Sequence, residues 1–265
     1  MSAMGPLEDD GVKTFTIVGT RFHACTHDSV IAQMERWVVE GRTPRYVCVS
    51  NVYDVRLAQG HSEVRQALLG ADLVVPDGMP IVWGGRLLGH DVPMRVDGPT
   101  LMWRVLESST RCGRSHFLYG GKQELLDVLV KRLGDAFPGV MIVGTLPHPF
   151  RELEPEEERS TIDTINRSGA DYLWVGIGTE RQLVWMHRYR SQLRVPVILG
   201  VGAAFAFHAG LIPKAPRWMC DHGLEWLFRL ASEPRRLWHR YLVVNPPFLL
   251  HFAAQYVRNR VLGWP

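Results

Sequence analysis

Two periodicities share this 265-residue chain. Short apolar runs recur at 14–18, in "RYVCVSN" (45–51), at Leu73-Val74-Val75, and in "HFLYGGK" (116–122), "VMIVGTL" (140–146), "YLWVGIGT" (172–179) and "VILGVGAA" (197–204). Each reads as a strand, the first as an edge strand. Between them lie stretches with helical spacing. Residues 28–40 carry Val30, Ile31, Met34 and Trp37 along one side; a helix runs from Asn51 to about Gln59, a second covers 62–69, and another begins after Gly78. Strands alternating with helices predict an α/β fold: a Rossmann-like, mostly parallel sheet with helices on both faces. From about Leu211 the strand pattern ceases. Residues 222–262 read as helices broken near Pro234 and at Asn245-Pro246-Pro247. The expected organisation is a disordered lead-in (1–12), a catalytic-type domain (13–210) and a basic amphipathic helical appendage (211–265).

In such a sheet, ligands bind beyond the carboxyl ends of the strands. Asn51, Asp77, Gly120-Gly121, Gly176-x-Gly178 and Gly200-x-Gly202 all fall on that rim. Glycines there let backbone N–H groups approach a phosphate, and helix N-termini favour its charge. They also serve any tight strand-to-helix turn. Pro76-Asp77-Gly78 has the same double reading: turn residues that cap a helix, or a carboxylate held at a ligand rim. Several chemistries lack their motif. There is no G-x-x-x-x-G-K-[ST], no G-x-S-x-G and no H-E-x-x-H, and Phe205 stands where G-x-G-x-x-G requires its third glycine. No D-x-D closes a strand to hold a metal on a pyrophosphate, so arginines and backbone dipoles would have to neutralise one.

Composition adds a globular signature, 46% hydrophobic and 22% charged. The four cysteines are scattered without metal or C-x-x-C spacing, which suits reduced thiols. The first residues are polar and acidic, unlike a signal peptide, and no run of 18 apolar residues occurs. Charge is unevenly placed: residues 211–265 carry +5 and the rest −2. A basic tail on a near-neutral body suggests an anionic partner. At helical spacing Leu237, Trp238, Tyr241 and Leu242 share one face, and Arg235, Arg236, His239 and Arg240 the other, as in a helix lying in a membrane interface. Phe248, Leu249, Leu250, Phe252, Tyr256 and Arg258 extend the theme. A C-terminal helix docked on the domain would show the same pattern. No recognition motif supports nucleic acid.

The ordered motifs are Asn51, "ADLVVPDG" 26 residues later, "RVDGPTLMW" (95–103), "FLYGGK" (117–122), "VGIGTERQ" (175–182), "GVGAAFAFHAG" (200–210) and "KAPRWMCDHGLEWLFRLASEPRRLWHRY" (214–241). Together they resemble the WecG/TagA/CpsF glycosyltransferase family, glycosyltransferase family 26, over residues 14–243. The resemblance implies an inverting transfer, without metal or cofactor, of a sugar from a UDP donor to a polyprenyl-diphosphate-linked saccharide. That reaction serves surface polysaccharide synthesis at the cytoplasmic face of a bacterial membrane. It assigns Asp77 as the base that takes the acceptor hydroxyl's proton. Asn51 would orient hydroxyls, although it also reads as a helix N-cap. Arg95 would meet a phosphate or sugar carboxylate, although it also reads as a surface salt bridge.

Donor contacts are implied for Gly120, Gly121, Gly178, Arg181, Gln182, Gly200 and Gly202, with Arg229, Arg235, Arg236 and Arg240 completing the site from the appendage. Several positions depart from the family pattern: Glu180-Arg181-Gln182-Leu183 stands for Pro-Lys-Gln-Glu, Ala203 for the second Gly of Gly-Val-Gly-Gly, Ala206 for the Asp that follows, and Val49 for a Thr of some members. They suit a branch using another UDP-sugar, such as UDP-glucose or UDP-glucuronate, beside the family's N-acetylmannosamine type. Two further readings stay open at this level: a Rossmann-like nucleotide-sugar oxidoreductase, and a peripheral membrane protein that binds nucleotide as a sensor or assembly factor. A site completed by a movable tail also allows storage as a homo-oligomer.

Overall fold

The computed structural model describes residues 13–41 and 43–261; the expected lead-in lies outside them. Six strands form one parallel sheet: β3 (Arg45–Ser50), β4 (Leu73–Pro76), β5 (Ser115–Gly120), β6 (Met141–Leu146), β7 (Tyr172–Gly176) and β8 (Val197–Gly200), in the order β4-β3-β8-β7-β5-β6. Both faces are covered, as an all-parallel sheet requires. Alternate side chains sort between the two cores. Tyr46, Cys48, Val74, Leu173, Val175 and Ile198 pack with α2 (Val52–Gly60), α3 (Ser62–Leu69), α4 (Met79–Leu87), α7 (Pro155–Ser168) and α8 (Thr179–Tyr189). Val47, Val49, Leu73, Val75, Trp174 and Leu199 pack with α1 (His27–Glu40), α5 (Gly98–Cys112), α6 (Gln123–Ala136) and α9 (Ala204–His208).

The first predicted strand is not an edge of this sheet. It is β1 (Thr14–Ile17), paired antiparallel with β2 (Thr20–His23) in a separate ribbon. The two-residue turn has φ 47° at Val18 and 78° at Gly19, the positive-φ pair that matches strand twist in a tight hairpin. Valine is a poor signal for such a turn, so the sequence hides it. The ribbon shields the sheet's edge, where Val74 N donates to His23 Nδ1 at 3.0 Å.

After β8 the chain is helical, as expected: α10 (Arg217–Asp221), α11 (Glu225–Ser232), α12 (Pro234–His239), a π-helical turn over Arg240–Val244, and α13 (Pro247–Tyr256). This appendage folds back onto the body. Phe248 is buried in the core with α2 and α4. Gln255 joins the hairpin turn, accepting from Val18 N at 2.7 Å and donating to Thr16 O at 2.8 Å. The expected apolar face of 237–242 is split by the π turn, which breaks the 3.6-residue spacing. Leu237 turns inward, whereas Trp238 and Leu242 stay exposed. Among the described residues no helix is long and apolar enough to cross a membrane.

Candidate active site

The carboxyl ends of the strands open into two adjoining cavities of about 350 and 660 Å³. Asn51, Asp77, Glu225, Arg229 and Arg240 border both, so the body and the appendage build the boundary between them. The smaller cavity has apolar walls from Met79, Pro80, Trp226, Tyr241, Pro246, Phe248 and Leu249. The larger follows the rim from Asp77 past Gly202 and Gly178 to Gly121.

Asp77 sits at the junction because β4 ends at Pro76 and its own N–H continues the ladder, donating to Ser50 O at 2.8 Å. Burial pushes its carboxyl up to about 7, Asp97 and Glu225 add to the rise, and Arg95 opposes it. Asp97 behaves differently. Burial works against its charge as well, yet His27, whose Nε2 lies 3.7 Å away, the bond it accepts from Thr100 N and the charge of Arg95 hold it well below the usual carboxylate range. Thr100 N donates at 2.9 Å, which makes Asp97 the N-cap of α5. Two neighbouring carboxylates are thus separated in acidity, one poised near neutrality and one fixed as an anion.

Asn51 is both cap and site residue. Its Oδ1 accepts from Tyr53 N and from Arg240 Nη2, each at 2.9 Å. Among the described residues its Nδ2 has no acceptor, so it is free to donate to a ligand. Asp54 completes the cap, accepting from Asn51 N at 2.9 Å. Burial pushes the Asp54 carboxyl up to about 6, against the pull of Arg240 and of that N–H. The Arg240 guanidinium also lies 4.4 Å over the Tyr53 ring. Tyr53 and Asp54 were missed in the sequence, where they look like ordinary first-turn residues.

Arg95 is occupied by an ion pair with Glu225 on α11, which holds the appendage against the body at Asp77. The salt-bridge reading is therefore correct in kind, but the pair is partly buried and borders the smaller cavity. Arg229 borders both cavities, lies 5.3 Å over Phe207, and keeps a buried Nε without a partner among the described residues. Arg236 lines the larger cavity while paired with Glu233 at 2.6 Å. Arg235 is exposed and lines neither cavity.

The expected donor residues divide in the same way. Gly121, Gly178, Arg181, Gln182 and Gly202 line the larger cavity; Gly120 and Gly200 do not. Gly120 serves packing, because a Cβ there would lie 2.4 Å from Gly176 O on β7. Gly200 lies against Met186 and Gln182 on α8. Gly178 has φ 100° and caps the N-terminus of α8, whose first residues Thr179, Glu180 and Arg181 line the larger cavity. Gln182 is buried, and its Oε1 accepts from Gly202 N at 3.1 Å, fixing the turn after β8.

The sequence model described as "Glycosyl transferase WecG/TagA/CpsF family" matches residues 15–261. The chain belongs to this family. It is similar to the N-acetylglucosaminyldiphosphoundecaprenol N-acetyl-beta-D-mannosaminyltransferase of Bacillus spizizenii, with 25% identity over 216 residues and 82% of each chain covered. A protein of the same description from Bacillus subtilis is 27% identical over 177 residues, 67% of each chain.

Within this WecG/TagA/CpsF member the Leu183 and Ala206 departures carry unequal weight. Leu183 is 1% exposed in the core beneath α8 and lines neither cavity, so its loss of polarity is a packing matter. Ala206 borders the larger cavity, where a small side chain leaves room and removes a hydrogen-bonding group from what the cavity can hold. Among the described residues no group of three or more His, Cys, Asp or Glu side chains is placed to hold a metal ion.

Proposed function

We propose that the protein transfers a hexosyl group from a UDP-sugar to a polyprenyl-diphosphate-linked saccharide, with inversion, for surface polysaccharide synthesis. The observation that carries this reading is the position of Asp77. It is a carboxyl group near neutrality where an apolar-walled cavity meets a glycine- and arginine-lined one. The acceptor's sugar enters through the smaller cavity and the donor occupies the larger. Asp77 takes the proton of the acceptor hydroxyl as that oxygen bonds to the anomeric carbon, while the bond from that carbon to the diphosphate oxygen breaks. UDP leaves on the opposite side. Its charge is met by Arg229, Arg240 and the N-terminus of α8, which replace a cation by guanidinium groups and backbone dipoles. Asn51 Nδ2 orients a sugar hydroxyl.

The two Bacillus relatives are described as acting on N-acetylglucosaminyldiphosphoundecaprenol, which supports an acceptor of that class here. The donor sugar is of the N-acetylmannosamine type, glucose or a uronic acid. The exposed apolar residues of the appendage support a site of action at the cytoplasmic face of the plasma membrane.

The test is UDP release by the purified protein with a panel of UDP-sugars and an N-acetylglucosaminyl polyprenyl diphosphate in mixed micelles. One donor should support release, and Asp77→Asn should lower kcat by about 10²- to 10⁴-fold. Release that survives Asp77→Asn would remove the base from the mechanism. Absence of release with every donor would overturn the transferase reading.

A further inference from the structure

The larger cavity ends away from Asp77 at a residue the sequence did not single out. Phe150 lies between β6 and α7, lines the cavity, and leaves its ring 43% exposed. Its φ is 57°, and among the described residues only Val18 shares a positive φ without being glycine. A bulky side chain in that region persists only where its surroundings fix the backbone, and such positions gather at ligand clamps.

Here the surroundings are explicit. His148 N donates to Gly121 O at 3.0 Å, tying this loop to the turn after β5. Phe150 N donates to His148 Nδ1 at 2.9 Å, and Arg181 donates to Phe150 O from the first turn of α8. The His148 ring meets Phe150 edge-on at 5.7 Å and Tyr119 likewise at 5.7 Å. Nδ1 of His148 acts as the acceptor in the bond from Phe150 N, and burial with the charges of Arg181 and Arg151 lowers the pKa of the ring, which favours the same form. The backbone is held from three sides and the ring is left open. A side chain that served only packing would be covered instead.

Position along the rim gives the ring its partner. Asp77 follows β4, and the turn that carries Arg181 follows β7, three strands away in the sheet order. At about 4.8 Å per strand this separation is roughly 14 Å. A nucleoside diphosphate laid along the rim, with its sugar at Asp77 and its phosphates over the turns at Gly202 and Gly178, brings its base to this end. We infer that Phe150 is a preorganised stacking platform for the nucleobase of the donor. This rests on the nucleotide-sugar reading above. Stacking uses the π-face that every base has, so the residue supplies affinity and register and leaves base identity to other contacts.

The experiment compares binding of UDP and of inorganic pyrophosphate by titration calorimetry in wild type, Phe150→Ala and Phe150→Trp. Phe150→Ala should weaken UDP about tenfold and leave pyrophosphate unchanged, because pyrophosphate has no base to stack. Phe150→Trp should keep UDP affinity within about twofold of wild type and add an indole fluorescence component that UDP quenches and pyrophosphate does not. Two results overturn the platform while leaving the UDP-donor reading intact: unchanged UDP affinity in Phe150→Ala, or equal weakening of UDP and pyrophosphate. A wild type that binds pyrophosphate but not UDP overturns both.

Discussion

A carboxylate serves as a base only in the fraction of molecules where it is ionised, so the environment of Asp77 sets a pH dependence. Burial, with Asp97 and Glu225 nearby, lifts its pKa to about 7, and both neighbours repel the charged form. On the proposed mechanism the active form is the anion, so kcat/KM should rise with pH through about 7 and level off above it. The slope should be close to one on the acid side, as one proton is lost. Glu225→Gln removes one source of the rise, and the acid limb should then move to lower pH. A profile that is flat from pH 5.5 to 8.5 would exclude Asp77 as the titrating base. The position of this residue at the rim was legible in the sequence, because the rim of a parallel sheet is where ligands bind and an Asp after a buried strand falls there. Its acidity was not legible, since it depends on Asp97 at the start of α5 and Glu225 in the appendage, far away in the chain.

The π turn over Arg240–Val244 shows what sequence periodicity misses at the scale of an element. A uniform 3.6-residue helix would place Arg240 with Arg235 and Arg236 on one polar face. The wider turn instead sends Arg240 onto Asn51 and Tyr53, and Tyr241 into the wall of the smaller cavity beside Trp226, 5.9 Å away. The strands and most helices were readable because each follows one period and is bounded by Gly, Pro or a cap. The β1–β2 hairpin and the π turn depart from such rules, and tertiary contacts select them: Gln255 holds Val18, and Asn51 holds Arg240. Arg240→Lys keeps the charge but loses the stacked, hydrogen-bonded fork. A hydrogen bond of a charged donor contributes about 1.5–3 kcal/mol. The variant should therefore lose roughly tenfold or more in kcat/KM, and the same Arg240→Lys change should cost clearly less on an Asn51→Ala background, where its partner is already gone. Independent, multiplying losses in the double variant would mean that the contact is incidental.

At the scale of the whole molecule, the appendage contributes one wall of the site and also carries a group of exposed apolar side chains. Trp238, Leu242, Leu249 and Leu250 are 51%, 57%, 65% and 75% exposed, all within a few turns of the Arg240 contact. Isolated exposed apolar residues are ordinary on a protein surface. Such a concentration, flanked by exposed Arg235 and Arg258, suits the boundary between lipid headgroups and acyl chains. On the proposed function, the smaller cavity, which Leu249 borders, would then open beside the phase that holds the lipid-linked acceptor. Burying one such side chain contributes about 2 kcal/mol. A Trp238→Ser, Leu250→Ser double variant should therefore partition into anionic vesicles at least tenfold more weakly than wild type. Its turnover of a short-chain, water-soluble acceptor should be unchanged, because neither residue lines a cavity. Cosedimentation at two salt concentrations checks both terms: the apolar contribution should survive the higher salt, and the arginine contribution should not. If the double variant instead binds vesicles normally but sediments at half the wild-type mass without lipid, the same residues bury each other between two copies of the chain.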